Sequence, residues 1–383
     1  MNGHGCGKQH VSTLSDSGLH MSTTSVNVQR RLSQVEQART AILHEGDTHS
    51  PLVADWISQS WQRCLSQGMQ PHDEVGFDPL SGAHVKRTLD QNHELIQAAR
   101  PELERLGRAI AGTSFFPLIT DAQGVVIDVG AGVDRHDRRV DVIARIGIDL
   151  SERAVGTSAI CAALIEQKPV WLHRGEHFFK DTSIYSCAGA PLWNGQGDCI
   201  GMLDLTAVMT QERPELMHLA ALSARSISNA YLLSQPHHLL LRLNWPGRLM
   251  GDDNDGLVLL NSDGEVLGAN PLAREMLHMA NDGHPHASDL FAIPTGLLFD
   301  GANQSQPMEV PLWSGLNLQV RSCLQHDCNN SSQPATTGAL QQIQLAMINK
   351  AVAHAKGNVA QAAKALGISR ATLYRKLSRK SSH

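Results

Sequence analysis

The sequence predicts a multidomain α+β protein that ends in a small all-helical module, and three observations carry the expectation. The chain has 383 residues, longer than one hydrophobic core usually serves, so two or three domains are expected. Between residues 84 and 326, short apolar runs bounded by Gly, Asn and Asp alternate with stretches of helical period, the pattern of sheets with helices packed on them. The segment 339–383 has helical periodicity and a basic balance.

Taken in order, residues 1–27 are rich in Ser, Gly, Thr and His with no apolar period, and disorder is expected there. Residues 28–83 form an N-terminal helical segment, with Leu32, Val35, Ile42, Trp56, Ile57, Trp61 and Leu65 at three- and four-residue spacings. Residues 84–235 make the first α+β domain, opened by a second helical stretch containing Leu89, Leu95, Ile96, Leu103 and Leu106. FFPLITDAQGVVIDVGAG then gives two strands about a turn at 121–124, and GTSAICAALIEQKPVWLH a helix, closed before Pro169, and a strand. CAGAPLWNGQGDCIGMLDLTAV gives two more strands about a turn at 194–198, and 212–233 reads as a long apolar-periodic helix suited to packing on a sheet or on its copy in a dimer.

A shorter module occupies 236–326. GLVLLNSDGEVLGANPLAREML reads as strand, turn, strand and a helix that Asn270 can cap with Pro271 in its first turn, and a later strand falls at 316–323. The polar run DCNNSSQPATTG marks a linker at 327–338.

Composition limits the functional classes. Aliphatic cores are expected, since 42% of residues are hydrophobic but only 4% aromatic, and three tyrosines argue against a broad base-stacking surface. No stretch reaches the roughly 20 apolar residues that span a bilayer, and the N-terminus lacks a basic-then-apolar leader, so a cytoplasmic protein without a membrane partner is expected. Seven cysteines with no CxxC pair fit reduced thiols. Cys323, His326 and Cys328, or His284 and His286, lack the paired spacing of a zinc module, and neither a metal nor a cofactor is expected. The net charge of −5 is unevenly spread: 328–383 holds eight Lys or Arg and no acid, which leaves −13 on the rest of the chain. A basic end on an acidic body suits a module that approaches phosphates.

The basic segment reads LQQIQLAMINKAVAHAKGNVAQAAKALGISRATLYRKLSRK. Ile343, Met347, Ile348, Ala351 and Val352 form one helical stripe that ends near Gly357. Asn358 can cap a second helix burying Val359, Ala362, Ala363 and Leu366. Gly367 makes the turn, and Ser369 caps a third helix that turns Leu373 and Leu377 inward. Burial against the second helix gives the third a fixed direction for entering a major groove. Ser369, Arg370, Thr372, Tyr374, Arg375, Lys376 and Lys380 are left for DNA, the arginines for base edges or phosphates and the lysines for phosphates.

From Gly357 to Leu377 this segment resembles the C-terminal helix-turn-helix of the Fis nucleoid protein and of enhancer-binding regulators. The resemblance implies a third helix that reads double-stranded DNA and preceding helices that help to form a homodimer. SWQRCLSQGMQP, ITDAQGVVIDVGAG, IGIDLSERAVGTSAICAALIEQKPVWLHRGEHF and APLWNGQGDCIGMLDLT resemble the sensory half of the acetoin-catabolism and dihydroxyacetone-operon type of transcription regulator. That resemblance implies a GAF-like domain that meets a small-molecule effector, and 250–325 resembles a PAS module. Trp171, His173, His177, Phe178, Phe179, Tyr185 and Cys187 cluster around one strand and its loop as candidates for the effector pocket.

Full-length relatives usually carry an AAA+ ATPase between sensor and tail. No GxxxxGK[ST] loop occurs in this sequence, so a regulator without ATP-driven polymerase remodelling is expected, with RNA polymerase as a further partner. Two alternatives stand beside it: a GAF-domain thiol reductase using Cys161, Cys187 or Cys199, and a Fis-like architectural DNA-binding protein. A catalytic thiol needs an accessible thiolate, whereas Cys161 lies in the apolar run ICAALI, and no catalytic residue is assigned.

Overall fold

The computed structural model describes residues 23–280, 283, 285–304 and 306–325. The expected linker and helix-turn-helix lie outside the described residues.

Four helices precede the first strand: α1 (Thr23–Arg39), α2 (Asp55–Ser66), α3 (Gly82–Gln91) and α4 (His93–Ala109), with a π-helical turn at Thr40–His44 extending α1. Helix α1 begins inside the stretch expected to be disordered.

The first sheet contains β1 (Phe116–Asp121), β2 (Val126–Val129), β3 (Val170–His173), β4 (Tyr185–Trp193) and β5 (Cys199–Val208), all antiparallel in the order β2-β1-β5-β4-β3. Three helices, α5 (Arg138–Ile143), α6 (Glu152–Val155) and α7 (Ala159–Glu166), lie in the crossover between β2 and β3, and α8 (Leu216–Ser234) follows β5.

Side-chain alternation gives this sheet two apolar faces. On one, Ile119, Ile127, Ala188, Ala190, Leu203, Leu205 and Ala207 meet α4, which supplies Leu95, Ala99, Leu103 and Leu106, and α8, which supplies Leu216, Ala220, Ala224 and Ile227. On the other, Phe116, Leu118, Leu172, Tyr185, Cys187 and Met202 meet α5 to α7 and also Val35, Ile42, Ile57 and Trp61 from the N-terminal helices. The 28–83 segment is therefore a layer of the same domain and has no separate core. Its apolar stripe needs a partner surface, and this sheet face provides one. Leu216, Ala220, Ala224 and Ile227 of α8 are likewise covered within the chain, whereas Leu222 is exposed.

The quoted family motifs meet in this layer. Arg63 of SWQRC pairs with Glu152 of SERAVGTS through Nε and Nη2, both at 2.9 Å. Ser60 Oγ lies 2.7 Å from Thr157 Oγ1, and the Trp61 indole donates to the Glu176 carbonyl at 3.0 Å. Gly189 marks the closest approach of helix and sheet: a Cβ there would stand 2.8 Å from the Ala159 carbonyl oxygen.

The second sheet has the order β8-β7-β6-β10-β9, again antiparallel, from β6 (Leu239–Asn244), β7 (Gly256–Leu260), β8 (Val266–Ala269), β9 (Met308–Pro311) and β10 (Asn317–Leu324). Short helices α9 (Pro271–Met276), α10 (Ala287–Leu290) and α11 (Thr295–Asp300) separate β8 from β9. Asn270 accepts from the Ala273 amide at 2.9 Å, the expected cap of α9. Strand β6 was not expected. It is the central strand, with Leu239, Leu241 and Leu243 in one core and Leu240 in another, so its LLLRLN run shows no polar alternation. Among the described residues Cys64, Cys161, Cys187 and Cys199 are free thiols.

Candidate ligand cavity

The β1-β5-β4 centre of the first sheet places Asp204 between Leu118 and Gly189. On the face where Met202 packs into the core, Asp204 and Thr206 project toward Tyr185 and Cys187 of β4. Loops and helices of the crossover, with Phe77, border a partly open pocket of about 40 Å³ on this surface, lined among others by Leu118, Ile143, Leu150, Ser158, Ile160, His177, Tyr185, Cys187, Asp204 and Thr206. Space on this scale holds about three waters, or a solute of a few heavy atoms.

Its polar groups are few and buried. Asp204 is 1% exposed, and its Oδ1 is the one carboxylate oxygen among the described residues that is buried without a hydrogen-bond partner. Burial raises the Asp204 carboxyl to about 8, only partly offset by the Cys187 thiol, so the acid is mainly protonated at neutral pH. His177 Nδ1 lies 2.9 Å from the Arg174 carbonyl, which makes Nδ1 the protonated nitrogen and leaves Nε2 as an acceptor 3.9 Å from Cys187 Sγ. Burial lowers His177 to about 4, so the ring is neutral. Cys187 Sγ is 3.1 Å from Thr206 Oγ1. Tyr185 turns its hydroxyl away to donate to the Arg139 carbonyl at 2.8 Å. The result is an uncharged, mostly apolar chamber with one carboxyl group still able to take a partner.

The seven residues expected to line a pocket do not converge. His177, Tyr185 and Cys187 face the cavity. Phe178 and Phe179 are buried core residues, in edge contact at 5.0 Å, and both crowd Gly156, whose φ of +66° and lack of a Cβ admit them. Trp171 and His173 lie on β3 facing the opposite side, because strand neighbours alternate: Leu172 points into the cavity-side core and Trp171 toward Phe115. His173 bonds Ser186 at 2.8 Å. Asp204 and Thr206 were missed, although a lone acid at a buried position of GMLDLTAV is a legible signal.

Glu176 and His177 of the EHF motif have separate tasks. Glu176 pairs with Arg31 of α1 and accepts from the His173 amide at 2.7 Å, while His177 carries its ring to the cavity wall. The buried thiols are poor nucleophiles: burial raises Cys64 to about 11 and Cys161 to about 12, and holds Cys187 well above its ordinary value. Of the three thiols named for the reductase alternative, Cys161 and Cys187 are buried, whereas Cys199 is half-buried, with burial raising its pKa. The DNA-contact candidates Ser369, Arg370, Thr372, Tyr374, Arg375, Lys376 and Lys380 lie outside the described residues.

A five-stranded antiparallel sheet thus carries two long helices on one face and the Asp204 pocket on the other. Residues 32–229 match the family described as MimR, N-terminal domain, and residues 339–379 match the one described as bacterial regulatory protein, Fis family. The first match spans more than half of the chain, so the chain belongs to the MimR N-terminal domain family, and it carries a Fis-family segment in the same polypeptide.

The acetoin catabolism regulatory protein of Cupriavidus necator is 28% identical over 260 residues, covering 66% of this chain and 38% of that protein. The acetoin dehydrogenase operon transcriptional activator AcoR of Bacillus subtilis is 29% identical over 168 residues, covering 43% and 27%. The propane 2-monooxygenase operon transcriptional activator MimR of Mycolicibacterium smegmatis is 28% identical over 200 residues, covering 51% and 33%. The chain thus spans well under half the length of these curated relatives. A chain of the E. coli DhaR(N)–DhaL complex has a TM-score of 0.44 at 14% identity, covering 70% of this chain and 98% of that one. A score at that level bears on neither site nor partner. Among the described residues, no helix is long and apolar enough to cross a membrane.

Proposed function

We propose that this chain is a DNA-binding transcription regulator whose sensor module holds a small-molecule effector in the Asp204 cavity. The observation that carries the reading is the buried, partnerless carboxyl oxygen of Asp204 in a partly open pocket, in a chain that also carries a Fis-family segment. His177, Cys187 and Thr206 are the polar groups beside it, and Tyr185 supplies a ring wall. Trp171, His173, Phe178 and Phe179 act through packing and loop position.

The regulator works as a cytoplasmic homodimer on double-stranded DNA, paired through the 340–355 helix, and recruits or blocks RNA polymerase without ATP-driven remodelling. The 236–326 module is PAS-like, a reading supported by its five antiparallel strands and short intervening helices. It is non-catalytic, as the buried thiols favour.

The test is DNA binding by the whole chain to fragments of its genomic neighbourhood at fixed salt, with Arg370→Ala and Arg375→Ala as controls. Arg375→Ala is expected to weaken specific binding by about 1–3 kcal/mol if it reads a base. Absence of selective binding in the unmodified protein would overturn the reading.

A further inference from the structure

A second cleft lies outside the cavity, between the end of α1, the following π-helical turn and the loop after β3. It measures about 310 Å³, and Arg39, His44, His72 and Lys180 line it together with one acid, Glu36. Arg39 forms the floor. Its guanidinium donates to the carbonyls of Gly175, His177 and Phe178 and lies 5.4 Å from the Trp61 ring centre. Among the described residues no ion pair includes it; burial lowers its pKa, and the Glu36 carboxylate opposes that shift only in part.

Carbonyl dipoles and a ring face fix the direction of this guanidinium, and Glu36 offsets its charge without a direct ion pair. Three bonded hydrogens of a possible five also leave donor capacity over. At the rim, Lys180 is exposed and the rings of His44 and His72 stack with centroids 6.3 Å apart. A buried cation below and three basic groups above, against a single carboxylate, make a surface that favours negative charge.

We propose that this cleft binds a small oxyanion, the carboxylate or phosphate group of a metabolite, independently of the effector cavity. Its position gives the ligand a route to the sensor. Arg39 bonds the carbonyl of His177, whose ring lines the Asp204 cavity on the other side of the same loop. An anion that draws Arg39 toward the cleft competes with those carbonyls and loosens the wall that His177 forms.

The experiment uses the full chain in chloride buffer, titrated separately with inorganic phosphate and with malonate. Calorimetry gives affinity, and the ring cross-peaks of His44 and His72, assigned with His44→Gln and His72→Gln, give location. Saturable binding that shifts those peaks and weakens about ten-fold in Lys180→Ala supports the proposal. The better of the two probes then assigns phosphate or carboxylate. Arg39→Lys keeps the charge but breaks the three-carbonyl clamp, and is expected to bind the anion while moving the His177 signals. Absence of binding at tens of millimolar overturns the proposal. So does binding that survives Lys180→Ala and is lost in Arg375→Ala, which places the anion on the basic tail. Neither result bears on the Asp204 cavity.

Discussion

Two aspartates, one in each sheet module, are buried to nearly the same degree and serve opposite ends. Asp255 is 0% exposed, and both of its oxygens are occupied: Asn244 Nδ2 donates to Oδ1 at 3.0 Å, the Gly251 amide to Oδ2 at 2.6 Å, and Arg242 lies 3.4 Å from Oδ2. It fastens the 245–255 connection to β6. Asp204 is 1% exposed, with an oxygen that nothing satisfies, and it borders a cavity. Burial alone therefore does not mark a ligand site. What separates the two is whether the fold supplies partners, because a buried acid without them must keep its proton or find a ligand.

The largest expected effect breaks the comparison through pH. The Asp204 carboxyl ionises near 3.8 in the unfolded chain and near 8 in the folded one. Between those values the folded state holds the extra proton, so stability falls as pH rises through the window and levels off above it. The total is on the order of 5 kcal/mol. Asp204→Asn should flatten that slope in denaturant unfolding curves collected across the window. Parallel curves for the two proteins would show that Asp204 is ionised and paired.

Removing the paired aspartate is the next effect in size. Asp255→Ala strands Asn244 and the Gly251 amide and should cost about 3 kcal/mol at neutral pH, read as a lower denaturation midpoint. The same measurement on Asp204→Asn should show no loss there, and equal losses would erase the distinction.

The smallest effect concerns the link between the regions. Asn270 Nδ2 donates to Asn229 Oδ1 of α8 at 2.9 Å while its own Oδ1 caps α9 and accepts from the Leu257 amide. Asn270→Ala should cost about 1–2 kcal/mol, mostly from the lost cap. A double-mutant cycle with Asn229→Ala isolates this inter-module bond, and zero coupling would leave the junction to packing and to its other hydrogen bonds, such as Ala269 amide to Gly195 carbonyl at 2.8 Å and Arg225 to Asn254 at 2.8 Å.

The first sheet was legible because its strands carry apolar runs interrupted by sharp turns: DAQG between β1 and β2, and NGQGD between β4 and β5. Helix α7 was legible from the GTSAICAALIEQKP run. Strand β6 was not, since a central strand loses the alternation that identifies one. The pocket residues were picked by proximity in sequence, which fails on a strand: Trp171 and Leu172 are adjacent yet face opposite cores. Of the seven, His177, Tyr185 and Cys187 line the pocket, on the loop after β3 and on β4. Asp204 and Thr206 were overlooked because their relation to Cys187 exists only through the pairing of β4 with β5.

The sequence by itself determined the period of α7 and of the first sheet's strands, the turn chemistry between strands, the basic segment at 339–383 and the motifs that carry the family resemblance, because these depend on residues close together in the chain. Only the tertiary structure decided that the N-terminal helices belong to the core of the first sheet, that Arg39 is buried on backbone carbonyls with no direct ion pair, and that Asp204 has an oxygen to spare. Partnership in a folded core is a property of side chains brought together from distant positions, and no local pattern encodes which of them will be left unsatisfied.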